Sequence, residues 1–164
     1  MSNLKYRSLL DGLCKITGLA NPEKLHASAN LTINEVSFML APGANDNPDS
    51  LLIFCNYGVP PQELLGEALL QLLVANLELF PPGGPRFVLN PLASEVILAV
   101  DISLRNATSE NLLELLECFA KQAKDWQKHY FLIESPVEKK TTYAPLDEAL
   151  TRLGRGRNVL QKVL

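Results

Sequence analysis

Residues 61–80, PQELLGEALLQLLVANLELF, carry more apolar surface than one helix normally buries in a small domain. At 100° per residue, the apolar side chains occupy about two-thirds of the helix circumference, whereas covering one core needs an arc of about 100° or slightly more. The polar side chains lie along one edge, at Glu63, Glu67, Gln71 and Glu78. We therefore expect a helix with one face in the core and a second face against another polypeptide.

The composition around this segment is that of a single globular domain. Hydrophobic residues make up 47% and charged residues 20% of the 164-residue chain. No apolar run reaches the roughly 18–20 residues of a membrane span, and the N-terminus has no signal-peptide pattern, so we expect no membrane insertion and no secretion. The three cysteines, Cys14, Cys55 and Cys118, lie in separate apolar runs. This favours buried free thiols and a cytoplasmic location.

Charge is distributed unevenly along the chain. The net charge is −3, and residues 1–130 hold nine basic against fourteen acidic side chains, whereas residues 131–164 hold six against four. An acidic body argues against nucleic acid as the main partner and suits a basic or polar polypeptide. The basic residues Arg152, Arg155, Arg157 and Lys162 have no interleaved aromatic side chains, so a solvated tail is a better prediction than an RNA or membrane site.

Hydrophobic periodicity predicts a mixed fold. We expect helices over residues 3–17, 61–80 and onward from an N-cap at Thr108, and strands over 31–40, 51–57, 86–90 and 95–104. Because strands are grouped between helices and joined by short connections, the pattern indicates an α+β fold with an antiparallel sheet. Residues 131–144 lose periodicity, and a short last helix is predicted over 146–153.

The sequence contains few groups of residues that are typical of catalytic or metal-binding sites. His26 and His129 have no partner at a ligand spacing, which predicts surface histidines, and we expect no metal site, cofactor or catalytic residue. No phosphate-binding glycine loop and no nucleophile-elbow motif is present. Asp101 is the one acid inside a strong strand, VILAVDISL. It is compatible with a catalytic group in a pocket, with an edge charge that blocks strand pairing, or with one side of an ion pair.

An ordered set of features over residues 55–128 goes beyond composition. A strand ends near Gly58, a leucine-rich helix closes on Leu73-x-x-Asn76, and a short strand leads into Asn90-Pro91. An apolar strand and a helix that contains Ala123-x-x-Trp126 follow. This set resembles the Tir chaperone family of bacterial type III secretion, and the matching order covers about residues 3–130.

The resemblance implies a small acidic homodimer in the bacterial cytoplasm with an α-β-β-β-α-β-β-α arrangement of about five strands and three main helices. Such chaperones have no catalytic residues. They bind the N-terminal region of a secreted effector and keep it extended for the export apparatus, whose ATPase is a further expected partner. The resemblance thus sets a domain over residues 1–130 and leaves residues 131–164 as an extension without an implied role.

Candidate residues follow for two surfaces. For the dimer contact they are Leu69, Leu70, Leu73, Asn76 and Leu77. Asn76 would either fix helix register across a two-fold axis or cap the helix. For effector binding they are Leu9, Leu13, Phe38, Leu52 and Phe54, and core packing is the alternative for each of these. The expected device is an apolar groove with a sheet edge to which an extended peptide adds.

Two other classes of protein stay open at this stage. One is an adaptor or regulator that uses the same dimer fold to hold a permanent partner. The other is a small enzyme with a site around Asp101. A deep polar pocket at Asp101 would favour the enzyme, whereas an apolar sheet face would not.

Overall fold

The computed structural model describes residues 2–19, 22–26, 29–43, 47–79 and 84–132. The elements, in chain order, are α1 Ser2–Thr17, α2 Pro22–Leu25, β1 Ala29–Ile33, β2 Val36–Pro42, β3 Ser50–Gly58, α3 Leu65–Glu78, β4 Arg86–Asn90, β5 Glu95–Ser103 and α4 Ser109–His129. A single 3-10 turn, Gln62–Leu64, precedes α3. The predicted α+β class with a five-stranded antiparallel sheet and three main helices is confirmed.

The strands form one antiparallel sheet in the order β1-β2-β3-β5-β4. The strand region predicted over 31–40 is a hairpin of β1 and β2. Its turn residues Asn34 and Glu35 both have positive φ, 49° and 64°. Two consecutive left-handed residues match the right-handed twist of the flanking strands. Lys124 on α4 also binds Glu35 at 2.7 Å, which lowers the pKa of that carboxyl.

Side chains along the central strands alternate between two environments. One side of β3, with Leu51, Ile53, Cys55 and Tyr57, is buried against the helices, as is the matching side of β5. The intervening residues lie on the opposite face and stay partly exposed. The hydrophobic core therefore lies on one side of the sheet, beneath α1 and α4.

Helix α4 closes this core as its sequence predicts. The Thr108 side chain accepts a hydrogen bond from the Asn111 backbone N–H at 3.2 Å, which confirms the N-cap. The predicted apolar stripe is buried in full, at Leu112, Leu115, Leu116, Phe119, Ala120, Ala123 and Trp126. Helix α1 approaches α4 closely at Gly12, where a Cβ would collide with the Ser109 hydroxyl. That hydroxyl donates to the Leu9 carbonyl at 2.9 Å and ties the two helices together.

None of the helices in the described part of the chain combines the length and the apolar character needed to cross a membrane.

Candidate functional site

Helix α3 presents two apolar faces. Ala68, Leu72 and Ala75 are buried toward the chain's own domain. On the other side, Leu70, Leu73, Val74 and Leu77 are 59%, 66%, 47% and 76% exposed, and at 100° per residue they share an arc of about 100°. We call these four residues the α3 stripe. Leu69, also predicted for a dimer contact, instead packs against the core and is partly buried.

Asn76 closes one edge of the sheet. Its Nδ2 donates to the Phe87 carbonyl at 2.9 Å, and its Oδ1 accepts from the Phe87 N–H at 2.7 Å. Phe87 lies in β4, the outermost strand on this side, so its backbone groups would otherwise be an unpaired edge. The amide is therefore engaged within the chain, and the structure shows neither of the two roles expected for it, helix capping or register across an axis.

Replacing Asn76 with leucine is expected to lower the free energy of unfolding by about 1–3 kcal/mol, because two backbone groups of β4 lose their partners. Urea unfolding followed by circular dichroism measures the change. Gln71→Leu is the matched control, since Gln71 is an exposed amide on the same helix. Equal stability changes for the two variants would contradict the assigned role of Asn76.

The opposite edge of the sheet is open at β1. No strand pairs with the outer side of β1 within the described ranges. A two-residue turn of this type closes on a hydrogen-bonded pair, Ile33 with Val36, and pairs alternate from there. The backbone N–H and C=O groups of Asn30 and Thr32 therefore point outward. Their side chains are exposed as well.

An apolar surface extends from β2 to β4 on the side of the sheet away from α1 and α4. Its residues are Met39, Leu52, Phe54, Val88 and Ile97, and we call them the open sheet face. Met39 pairs with Phe54, and Val88 pairs with Ile97, so these side chains lie in adjacent rows. Met39 and Val88 are 40% and 45% exposed, and the other three are more deeply buried.

The predicted effector-binding residues separate into two groups. Leu52 and Phe54 lie on the open sheet face. Leu9, Leu13 and Phe38 are buried in the core instead, because α1 packs on α4 and because Phe38 pairs with Cys55 on the helix-covered side. Their side chains are 6%, 1% and 2% exposed, so in this structure they offer almost no surface for contact.

Asp101 lies at one end of this face. In the sheet register it pairs with Leu52, and its Oδ2 accepts a hydrogen bond from Asn47 Nδ2 at 3.1 Å. Its Oδ1 is buried and has no hydrogen-bond partner among the residues that the structure describes. The pairing of β4 with β5 begins at Arg86 and Ala99, so within the described ranges no strand lies beside β5 on that side at Asp101. These surroundings fit the edge-charge interpretation.

The described environment of Asp101 does not favour the enzyme alternative, because its cross-strand neighbour is apolar and, among the described residues, its polar contact is an asparagine. Within the described ranges, no three His, Cys, Asp or Glu side chains are grouped as a metal site.

The histidines and cysteines have structural surroundings. His26 is half-buried, and its Nε2 lies 2.7 Å from Asp11 Oδ1, so it links α2 to α1 rather than standing alone on the surface. Half-buried His129 follows the last buried residues of α4. All three cysteines are free. Cys14 and Cys55 are buried, as predicted, whereas Cys118 is only partly buried. Burial raises the pKa of the Cys55 thiol far above its usual value. The helix predicted over 146–153 and the predicted basic tail lie outside the described residues.

A five-stranded antiparallel sheet covered by helices on one side, with an apolar helix face exposed beside it, defines a protein-binding scaffold. The comparisons with known proteins identify its class. Residues 8–127 match the Tir chaperone protein (CesT) family, so the chain belongs to that family. A comparison with curated proteins gave no significant match.

Three solved structures share the fold. A chain of the ExsC–ExsE complex is 24% identical with a TM-score of 0.60, and the match covers 77% of this chain and 93% of that one. A chain of the HopA1–SchA chaperone–effector complex is 19% identical with a TM-score of 0.54, and the match covers 78% of this chain and 97% of that one. A chain of the ExoT–SpcS complex from Pseudomonas aeruginosa is 21% identical with a TM-score of 0.52, and the match covers 74% of this chain and 96% of that one.

Proposed function

We propose that this protein is a type III secretion chaperone of the bacterial cytoplasm. As a homodimer, it binds the N-terminal region of a secreted effector and keeps that region extended and ready for export. Family membership supports the chaperone class. The observation that carries the mechanism is the outer edge of β1, at Asn30 and Thr32, to which no strand of the described residues pairs. The apolar open sheet face lies on the same sheet.

An extended client segment fits this arrangement because strand addition uses backbone hydrogen bonds and therefore depends little on the client's sequence. Backbone groups of the client pair with Asn30 and Thr32, and this supplies hydrogen bonds that any sequence except proline makes. Alternate client side chains then point toward the face that holds Met39 and Phe54. A client strand held in this way is not free to fold on itself, which is the condition that an export channel requires.

The α3 stripe is our proposed contact between two copies. Its four apolar side chains lie on the surface of a helix that contains no basic residue. A two-fold contact uses the same patch on both subunits, so each leucine position contributes two buried side chains to the dimer, one from each subunit. Burying a leucine stabilises by about 1.5–3 kcal/mol, and a patch of this kind supports a stable association.

Purification of the chain from its native host under non-denaturing conditions tests the chaperone proposal. We expect a larger protein to co-purify with it, and limited proteolysis followed by mass spectrometry to show protection of the N-terminal part of that protein. Loss of the bound protein when secretion is induced would separate a chaperone from a permanent adaptor. A pure homodimer that binds no extended segment would contradict the proposal.

A further inference from the structure

One row of side chains crosses the whole sheet on the side that carries the open sheet face. Its members pair in succession from strand to strand, in the order Asn30, Met39, Phe54, Ala99 and Arg86. Paired residues of neighbouring strands lie side by side, so the row runs from β1 through β2, β3 and β5 to β4. It begins at the edge to which we propose that the client adds.

Ala99 forms a recess in this row. Its side chain is a single methyl group, whereas Phe54 and Arg86 stand on either side of it, and Ile97 is the preceding residue of β5 on the same face. Ala99 remains partly exposed, so the larger side chains do not close over it. We call this position, with Phe54, Ile97 and Arg86 around it, the Ala99 recess. Recesses of this kind receive single side chains of a bound extended segment.

Arg86 places a positive charge at the rim of the recess. It is the one basic residue in the five strands that the structure describes, it is exposed, and it forms no ion pair with the described residues. The two acids on this face are bound elsewhere, Glu95 to Asn56 at 2.9 Å and Asp101 to Asn47 at 3.1 Å. A guanidinium presents a planar fork of N–H donors that matches a carboxylate.

We propose that the Ala99 recess and Arg86 together recognise one motif of the client: a large apolar side chain with an Asp or Glu two residues away. Residues two apart lie on the same side of an extended chain, so both side chains can face the sheet. The size of the recess selects leucine or phenylalanine over alanine, and the charge of Arg86 selects an acid over lysine. This inference rests on the proposed function and names the part of the client that gives specificity.

The width of the sheet sets where the motif lies in the client. Strands are about 4.8 Å apart, so a client strand added to β1 lies four spacings, or about 19 Å, from Ala99 on β5. About six extended residues at about 3.3 Å each span that distance. One client chain can therefore pair with β1 and fill the recess when its motif is at least about six residues from its strand-forming segment.

Synthetic labelled peptides test the preference with the full-length protein. Each peptide carries the same strand-forming segment of threonine and valine, a glycine–serine spacer of about six residues, and a variable motif. The motif has Leu, Phe or Ala at its first position and Asp, Asn or Lys two residues later. Fluorescence anisotropy gives the dissociation constants. For the wild type, we expect Leu with Asp to bind about tenfold more tightly than Ala with Asp or Leu with Lys.

Two variants of the protein should change this preference in different ways. In Arg86→Glu, the charge preference should reverse, so that Lys replaces Asp as the favoured neighbour. In Ala99→Leu, the recess is filled, and the preference for Leu over Ala should disappear. Ala41→Leu is the matched control, because Ala41 is a partly exposed alanine on the same face that pairs with Leu52, outside the recess. It should keep both preferences of the wild type.

A reversed charge preference is a result that a purely structural role of Arg86 would not produce. If Arg86→Glu lowers stability but selects the same peptides as the wild type, the arginine serves the fold and the motif is overturned. Equal effects of Ala99→Leu and Ala41→Leu would also overturn it, as would a wild type that binds all the peptides equally or none of them. The co-purification experiment decides the chaperone function separately, so the motif can fail while that function stands.

Discussion

Replacing Leu73 with aspartate is expected to convert the proposed homodimer into a monomer. Leu73 is 66% exposed at the centre of the α3 stripe, and Leu70 and Leu77 lie one turn away on either side. In a two-fold contact the change acts twice, removing two buried leucines at about 1.5–3 kcal/mol each and placing two carboxylates in an apolar interface. We expect the dissociation constant of the dimer to rise by at least about a hundredfold. Light scattering coupled to size exclusion, with sedimentation equilibrium, measures it.

Leu92→Asp controls for the chemistry of this substitution. Leu92 is 97% exposed in the connection between β4 and β5 and is not part of the α3 stripe, so the same change there should leave the dimer intact. Because the Leu73 side chain makes no part of the chain's own core, Leu73→Asp should also keep the far-ultraviolet circular dichroism of the wild type. A folded Leu73→Asp protein that dimerises as tightly as the wild type would remove the α3 stripe from the interface.

The helix-period pattern predicted the two-faced character of α3, and the reason is geometric. A period of 3.6 places Leu70, Leu73 and Leu77 on one arc whatever the helix packs against. The pattern does not say which arc faces the core, so it groups Leu69 and Asn76 with the exposed leucines, although Leu69 packs on the core and Asn76 binds Phe87. The sequence does not indicate the contact of Asn76 with Phe87, because the Asn76 side chain binds backbone groups, which are the same in almost every residue.

The strands show a different limit. In β3 both faces are apolar, so alternation separates Leu52 and Phe54 from Ile53 and Cys55 but does not identify the covered side. That information comes from the position of α4, a tertiary contact. In the first hairpin, the turn at Asn34 and Glu35 shifts the alternation between β1 and β2, and neither residue is a glycine that would have marked the turn. Phe38 consequently belongs to the core. The order of strands in the sheet, which places β1 at an edge, likewise cannot be predicted from a local pattern.

Replacing Thr32 with proline is expected to weaken client binding by about tenfold or more while the domain stays folded. The Thr32 N–H points outward from β1 and takes no part in the ladder with β2, so proline removes a donor that only an added strand would use. The proline ring also blocks close approach of that strand, and the neighbouring hydrogen bonds weaken with it. Fluorescence anisotropy with a labelled peptide, made from the client segment protected in the proteolysis experiment, gives the dissociation constants.

Two further variants separate the loss of the outward N–H at Thr32 from other effects of the substitution. Thr32→Ala keeps the N–H, so we expect it to bind the peptide within about twofold of the wild type, since only an exposed side chain is shortened. Leu31→Pro lies one residue away in the hydrogen-bonded pair with Phe38, so it should disrupt the hairpin and lower stability, which shows that the tolerance at Thr32 reflects its outward orientation. If folded Thr32→Pro binds the peptide as the wild type does, the client does not add a strand to β1. The open sheet face would then have to hold the client through side-chain contacts alone.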